Sequence, residues 1–104
     1  MREVPERFLI FREQHPGVAS AYENLAAECR KAGPLGAKDR ALAQLGVAVG
    51  AQVEGAVRSQ ARKALDAGLT SDEIRHAVML SLTTIGFPRM MAALTWAEDI
   101  INGN

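Results

Sequence analysis

Apolar residues recur at three- and four-residue spacing along most of the chain, and strict apolar–polar alternation is absent. That pattern predicts helices throughout, separated where Pro and Gly fall. A short helix is expected from about Pro5 to Gln14, ended by His15-Pro16-Gly17. A second, with Pro16 in its first turn, reaches about Ala32 and stops at Gly33-Pro34, with Gly36 just beyond. A third covers about Ala37 to Gln52 and a fourth about Val53 to Ala67, with a bend between them. Gly68 stands where a left-handed residue usually ends a helix. Thr70-Ser-Asp-Glu73 reads as a capping box, so a fifth helix starts at Ser71 and runs to Gly86. Pro88 opens a sixth that reaches about Asn102. The expected fold is therefore an all-α bundle of about six helices in one domain over residues 1–104.

At roughly 100° per residue, each helix shows a face. Val18, Tyr22, Leu25, Ala26 and Cys29 share one side of the second helix and are expected in the core. On the fifth, Ile74, Ala77, Val78, Ser81 and Ile85 share a side, with Met79 and Leu80 away from it. On the sixth, Met90, Ala93, Leu94, Ala97, Ile100 and Ile101 form a stripe beside Trp96. The third helix is apolar nearly all round: Leu42, Leu45, Val47 and Val49 point in different directions, and Ala43, Gly46 and Gly50 make a ridge of small residues. A mid-helix Gly costs about 1 kcal/mol relative to Ala, so close packing on that ridge is expected. So small a bundle has few positions buried on every side, and the apolar excess predicts a homo-oligomer.

Composition narrows the class. Twelve basic and twelve acidic side chains give zero formal charge, which argues against nucleic acid and anionic membranes as partners. The run from Ala41 to Ala51 is too short to span a bilayer. The opening, Met1 to Arg7, meets only a four-residue apolar patch, Phe8 to Phe11, so no secretory signal is expected and the cytoplasm is the predicted location. One cysteine, Cys29, excludes a disulfide, a Cys-rich zinc site and a two-cysteine redox centre within one chain.

Few residues remain for chemistry. On the fourth helix Gln60 falls amid the apolar stripe of Val53, Ala56, Val57 and Ala64, while Glu54, Arg58, Arg62 and Asp66 form the polar side. An amide there needs a hydrogen bond, whether as a structural tie or as part of a pocket. Cys29 reads as a small core residue. His76 lies on the outer side of its helix and His15 in a break, and neither has metal-ligand spacing. There is no Gly-rich phosphate loop, nucleophile elbow or dinucleotide fingerprint, so no metal and no cofactor is expected.

A linked series of segments resembles the carboxymuconolactone decarboxylase family, which includes alkylhydroperoxidase D. The series is Gly33-Pro-Leu-Gly-Ala-Lys-Asp-Arg40, Ala64-Leu-Asp-Ala-Gly68, Leu69-Thr-Ser-Asp-Glu-Ile74 and Ile85-Gly-Phe-Pro88. Order and spacing together carry it from Gly33 to Ile101. The resemblance implies an all-α fold and assembly as a trimer or hexamer. Its peroxidase-type members use a Glu, a Cys-x-x-Cys pair and a His; the matching positions here are Ala41, Val53, Ala56 and Gln60. Thiol peroxidation needs a thiolate and a resolving thiol, and Val and Ala supply neither. The lactone decarboxylase members lack the cysteines and commonly keep the His, which makes them the nearer comparison. Gln60 can hydrogen-bond there but cannot exchange a proton near neutral pH.

Three readings stay open. One is a non-redox, hexameric member with a degenerate active site and a small-molecule pocket near Gln60. Another is a cofactor-free lactone decarboxylase-like enzyme in which Arg58, Arg62 or Arg89 holds a carboxylate. The third is a structural or partner-binding oligomer. In the expected oligomer, the apolar third helix and the outer side of the fifth lie near the interfaces.

Overall fold

The structure, a computed structural model, describes residues 5–103. The first four residues, part of the stretch read for a secretory signal, lie outside that range. All regular structure among the described residues is helical: α1 (Glu6–Gln14), α2 (Pro16–Lys31), α3 (Ala37–Ala51), α4 (Glu54–Asp66), α5 (Ser71–Met79), α6 (Leu82–Ile85) and α7 (Phe87–Ile101). Among the described residues no helix is long and apolar enough to cross a membrane. The chain divides into two compact units, one ending at Leu35 and one beginning at Gly36.

The first unit holds α1 and α2. His15 joins them: its N–H donates to the Phe11 carbonyl at 2.8 Å, and its own carbonyl accepts from the Ala19 N–H at 3.0 Å. Pro16 then takes the first turn of α2, where a missing N–H is harmless. Ala19 is buried, whereas the expected core side of α2 is not: Val18, Tyr22, Leu25 and Cys29 are all exposed. The helical phase grouped them correctly, but phase does not say what covers a face.

The second unit packs α3, α4, α5 and α7 around one core. Leu45, Val49, Val57, Ile74 and Val78 are fully enclosed, each contributing about 1.5–3 kcal/mol by burial. Alanines fill the rest: Ala41 and Ala48 on α3, Ala61 and Ala64 on α4, Ala93 and Ala97 on α7. Local signals set the helix ends. Gly68, at φ 97°, ends α4 with its N–H on the Leu65 carbonyl, while the Leu69 N–H reaches the Ala64 carbonyl. This pair of bonds is a Schellman motif, sealed by burial of Leu69. The Thr70 hydroxyl accepts from the Glu73 N–H at 3.1 Å, and the Glu73 carboxylate accepts from the Thr70 N–H at 2.8 Å, forming the predicted capping box.

Two features differ from expectation. The predicted fifth helix is interrupted at Leu80-Ser81, giving seven helical segments rather than six. The Ser81 N–H and hydroxyl both donate to the Val78 carbonyl, at 3.1 and 2.7 Å, and so occupy the acceptor that continued helix would use. The second is the small-residue ridge on α3. Ala43, Gly46, Val47 and Gly50 are exposed, and a Cβ added at either glycine meets nothing within 4 Å. The close packing expected there is not made among the described residues of the second unit.

Candidate functional site

The corner between α3 and α4 is built by Gln52. It adopts a left-handed conformation, φ 57° and ψ 37°, a region where a side chain is strained and Gly is usual. Its N–H donates to the Ala48 and Val49 carbonyls. Its side-chain Nε2 donates to the Val49 carbonyl at 2.9 Å and to the Arg89 carbonyl at 3.0 Å. One amide thus closes α3 and fastens the corner to the first turn of α7. Sequence reading missed this residue, because no glycine or turn motif marks the corner.

Val53 follows as the N-cap of α4, and Ala56 lies three residues on. With Gln60 they share one flank of the helix, within about 60° of one another. Val53 is exposed, and Ala56 and Gln60 are half-buried. The enclosed line of α4, Val57, Ala61 and Ala64, runs beside them. Gln60 is therefore half-buried rather than fully buried as expected, and its Oε1 is sealed from solvent with no hydrogen-bond partner among the described residues. On α3, Ala41 is buried in the core.

The arginines stand elsewhere. Arg58 and Arg62 occupy the flank of α4 away from Gln60. Arg58 Nη2 meets Asp99 on α7 at 2.8 Å, and its Nε meets Glu54 at 3.1 Å. The bond to Asp99, with help from Glu54, raises its pKa above the ordinary arginine value. Arg62 donates to the Ser59 hydroxyl at 3.2 Å. Arg89 is exposed in the first turn of α7, next to the Gln52 corner through its carbonyl. The structure thus brings Val53, Ala56 and Gln60 together and keeps Arg58 and Arg62 apart from them.

The remaining candidates are scattered. Cys29 is exposed on α2, which corrects its expected core placement. His76 is exposed on α5, as its phase predicted, and His15 is exposed in the α1–α2 break. Among the described residues no three His, Cys, Asp or Glu side chains could hold a metal ion.

The chemistry available follows from position. A thiol at Val53 or Ala56 would face the positive end of α4, where a thiolate is stabilised. The two side chains present are apolar. Gln60 offers a neutral amide, which donates and accepts but does not titrate.

No curated protein and no solved structure matches the chain. The sequence profile of the carboxymuconolactone decarboxylase family does match, over residues 16–99. The match begins at the first residue of α2, well upstream of the Gly33 at which the motif resemblance starts, and it ends near the close of α7. It covers most of the chain, so the chain belongs to the carboxymuconolactone decarboxylase family.

Proposed function

We propose that this protein is a non-redox member of its family: a cytoplasmic homo-oligomer, hexameric in form, that binds a small apolar or carboxylate-bearing molecule beside Gln60. One observation carries the reading. The positions that family resemblance assigns to two cysteines and a histidine fall on one flank of α4, and they hold Val53, Ala56 and Gln60. That flank keeps the place of a reaction centre without a nucleophile or a proton carrier. A ligand there would contact Val53 and Ala56 through apolar atoms and take its polar contact from the Gln60 amide. The reading calls for no metal and no cofactor. The family match crosses from the first compact unit into the second, which supports one family domain over residues 1–104.

The cofactor-free lactone decarboxylase reading draws less support. Arg58 is committed to Asp99 and Glu54, and Arg62 shares its flank. Arg89 is the arginine left to hold a substrate carboxylate.

The test is hydroperoxide consumption with a dithiol reductant, comparing wild type with Cys29→Ala, beside a thermal-shift screen of small lactones and monocarboxylates. Turnover at the level of free reductant in both proteins, with a ligand shift lost in Gln60→Leu, is the expected result. Robust wild-type turnover that disappears in Cys29→Ala overturns the non-redox reading. Decarboxylation of a lactone acid that disappears in Arg89→Ala favours the enzymatic one.

A further inference from the structure

Lys63 stands on the Gln60 side of α4. At about 100° per residue it lies roughly 60° from Gln60 and roughly 20° from Ala56, whereas Arg58 and Arg62 are turned away from Gln60. Its Cα is one turn beyond Gln60, and a helical side chain leans back over the turn that precedes it. The ammonium therefore reaches toward Gln60, whose Cβ is about 5–6 Å from its own. Lys63 is exposed, and its side chain makes no ion pair or hydrogen bond among the described residues. Asp66, three residues on, has a contact of its own, and Glu54 is held by Arg58.

The Gln60 amide has a direction. Its Oε1 is sealed from solvent and unpaired among the described residues, although the residue as a whole is half-buried. An amide is planar, with oxygen and nitrogen on opposite sides of its carbon, so a sealed oxygen turns the two N–H donors outward. Val53 and Ala56 carry no polar side-chain atom. The side chains of these four residues thus present apolar surface, two amide N–H groups and an ammonium, with the one acceptor hidden.

We propose that Lys63 is the charged anchor of the Gln60 site, and that the ligand it selects is a monocarboxylate with a short apolar body. The carboxylate accepts from Gln60 Nε2 and pairs with Lys63 Nζ, and the apolar body lies along Ala56 toward Val53. This rests on the reading of a small-molecule pocket beside Gln60 and narrows its ligand from two classes to one. A wholly apolar molecule would leave every donor on the flank unused, and Lys63 repels a cation. A second carboxylate at the far end of the ligand would lie on Val53 and Ala56 without a partner, where loss of its water is costly.

The experiment uses hexanoate, hexanamide and hexylammonium, which share one chain length and differ in charge. Each is titrated into the protein while the side-chain NH2 signals of Gln60, identified by their absence in Gln60→Leu, are followed by NMR. The expected result is that hexanoate moves the Gln60 signals, that hexanamide binds about fivefold more weakly, and that hexylammonium leaves them in place. Lys63→Met keeps the apolar stem without the charge. It should retain the wild-type melting temperature and bind hexanoate and hexanamide alike, and Lys63→Arg should restore the preference. Lys31→Met removes an equal charge from α2 and should leave hexanoate binding unchanged. Equal affinity of wild type for hexanoate and hexanamide, or a hexanoate preference kept in Lys63→Met, overturns the anchor and leaves the pocket at Gln60 standing. Equal weakening by Lys31→Met and Lys63→Met means that net charge acts at a distance, and also overturns the anchor. No response of the Gln60 signals to any probe sinks the pocket reading and the anchor together.

Discussion

Arg75 grips both carboxylate oxygens of Glu98, with Nε 2.8 Å from Oε2 and Nη2 3.1 Å from Oε1. The fork joins α5 to α7 across 23 residues of sequence, and Asp72 completes it at 3.1 Å from Nη1. The bonds to Glu98, then Asp72, raise the arginine pKa. The group is exposed enough that its charge is screened, so its value lies mostly in fixed geometry. Arg75→Lys should lower the melting temperature although the charge is kept, because an ammonium cannot make two parallel bonds. A double-mutant cycle with Glu98→Gln should show positive coupling. Zero coupling would mean that the fork does not hold α5 in place.

The Thr70 and Glu73 box makes stability depend on acid. Thr70→Ala should cost about 1 kcal/mol in denaturant unfolding. The Thr70 N–H, then its hydroxyl, hold the Glu73 pKa below its ordinary 4.5. A carboxylate with a lowered folded pKa stabilises the fold above its unfolded value, and the benefit is lost as pH falls through the folded one. Wild type should therefore exceed Glu73→Gln in stability at neutral pH, and the two should converge below pH 4.5. A constant difference across that window would count against the box.

Gln52 combines strain with two side-chain bonds. Gln52→Ala keeps the left-handed backbone and loses both bonds, so it should destabilise by about 1–3 kcal/mol. Gln52→Gly loses the same bonds but relieves the strain, and should recover part of the loss. Equal effects of the two substitutions would show that the conformation stores no strain.

Gln60→Leu is expected to raise the stability of the ligand-free protein by about 1 kcal/mol or more, since it removes a sealed acceptor that nothing satisfies. Loss of stability, read from denaturant midpoints, would mean that the amide makes a bond in solution.

Val53→Cys with Ala56→Cys places two thiols one helical turn apart at the start of α4. They should form a disulfide under mild oxidation and lower their pKa at the helix end. Hydroperoxide turnover should stay low until Ala41→Glu and Gln60→His are added. Full turnover in the double variant would show that thiol placement alone suffices.

Signals carried by neighbours in sequence were legible. Pro16, the Gly68 cap, the capping box and the Gly86 corner before Pro88 all mark helix ends where the structure has them. The Ser81 break was not, because its cause is a hydroxyl competing for one carbonyl. Nor was Gln52, whose partner Arg89 is 37 residues away. Apolar phase grouped Val18, Tyr22, Leu25 and Cys29 but placed them inside, since periodicity sorts residues by side without naming what lies opposite. At the site, resemblance located Val53, Ala56 and Gln60 on one flank, while the Arg58 pair with Asp99 could be found only once α4 and α7 were set side by side.

Alanines at 61 and 64 on α4 and at 93 and 97 on α7 are wholly enclosed. A methyl group has no rotamer to freeze and no room to yield, so backbone proximity rather than side-chain shape determines how these two helices meet. Substitution histories should differ accordingly. Val57, Ile74 and Val78 can trade among branched residues of similar volume. The four alanines can drift only toward Gly, because one added heavy atom at any of them pushes the helices apart and strains the Arg58–Asp99 pair that joins them.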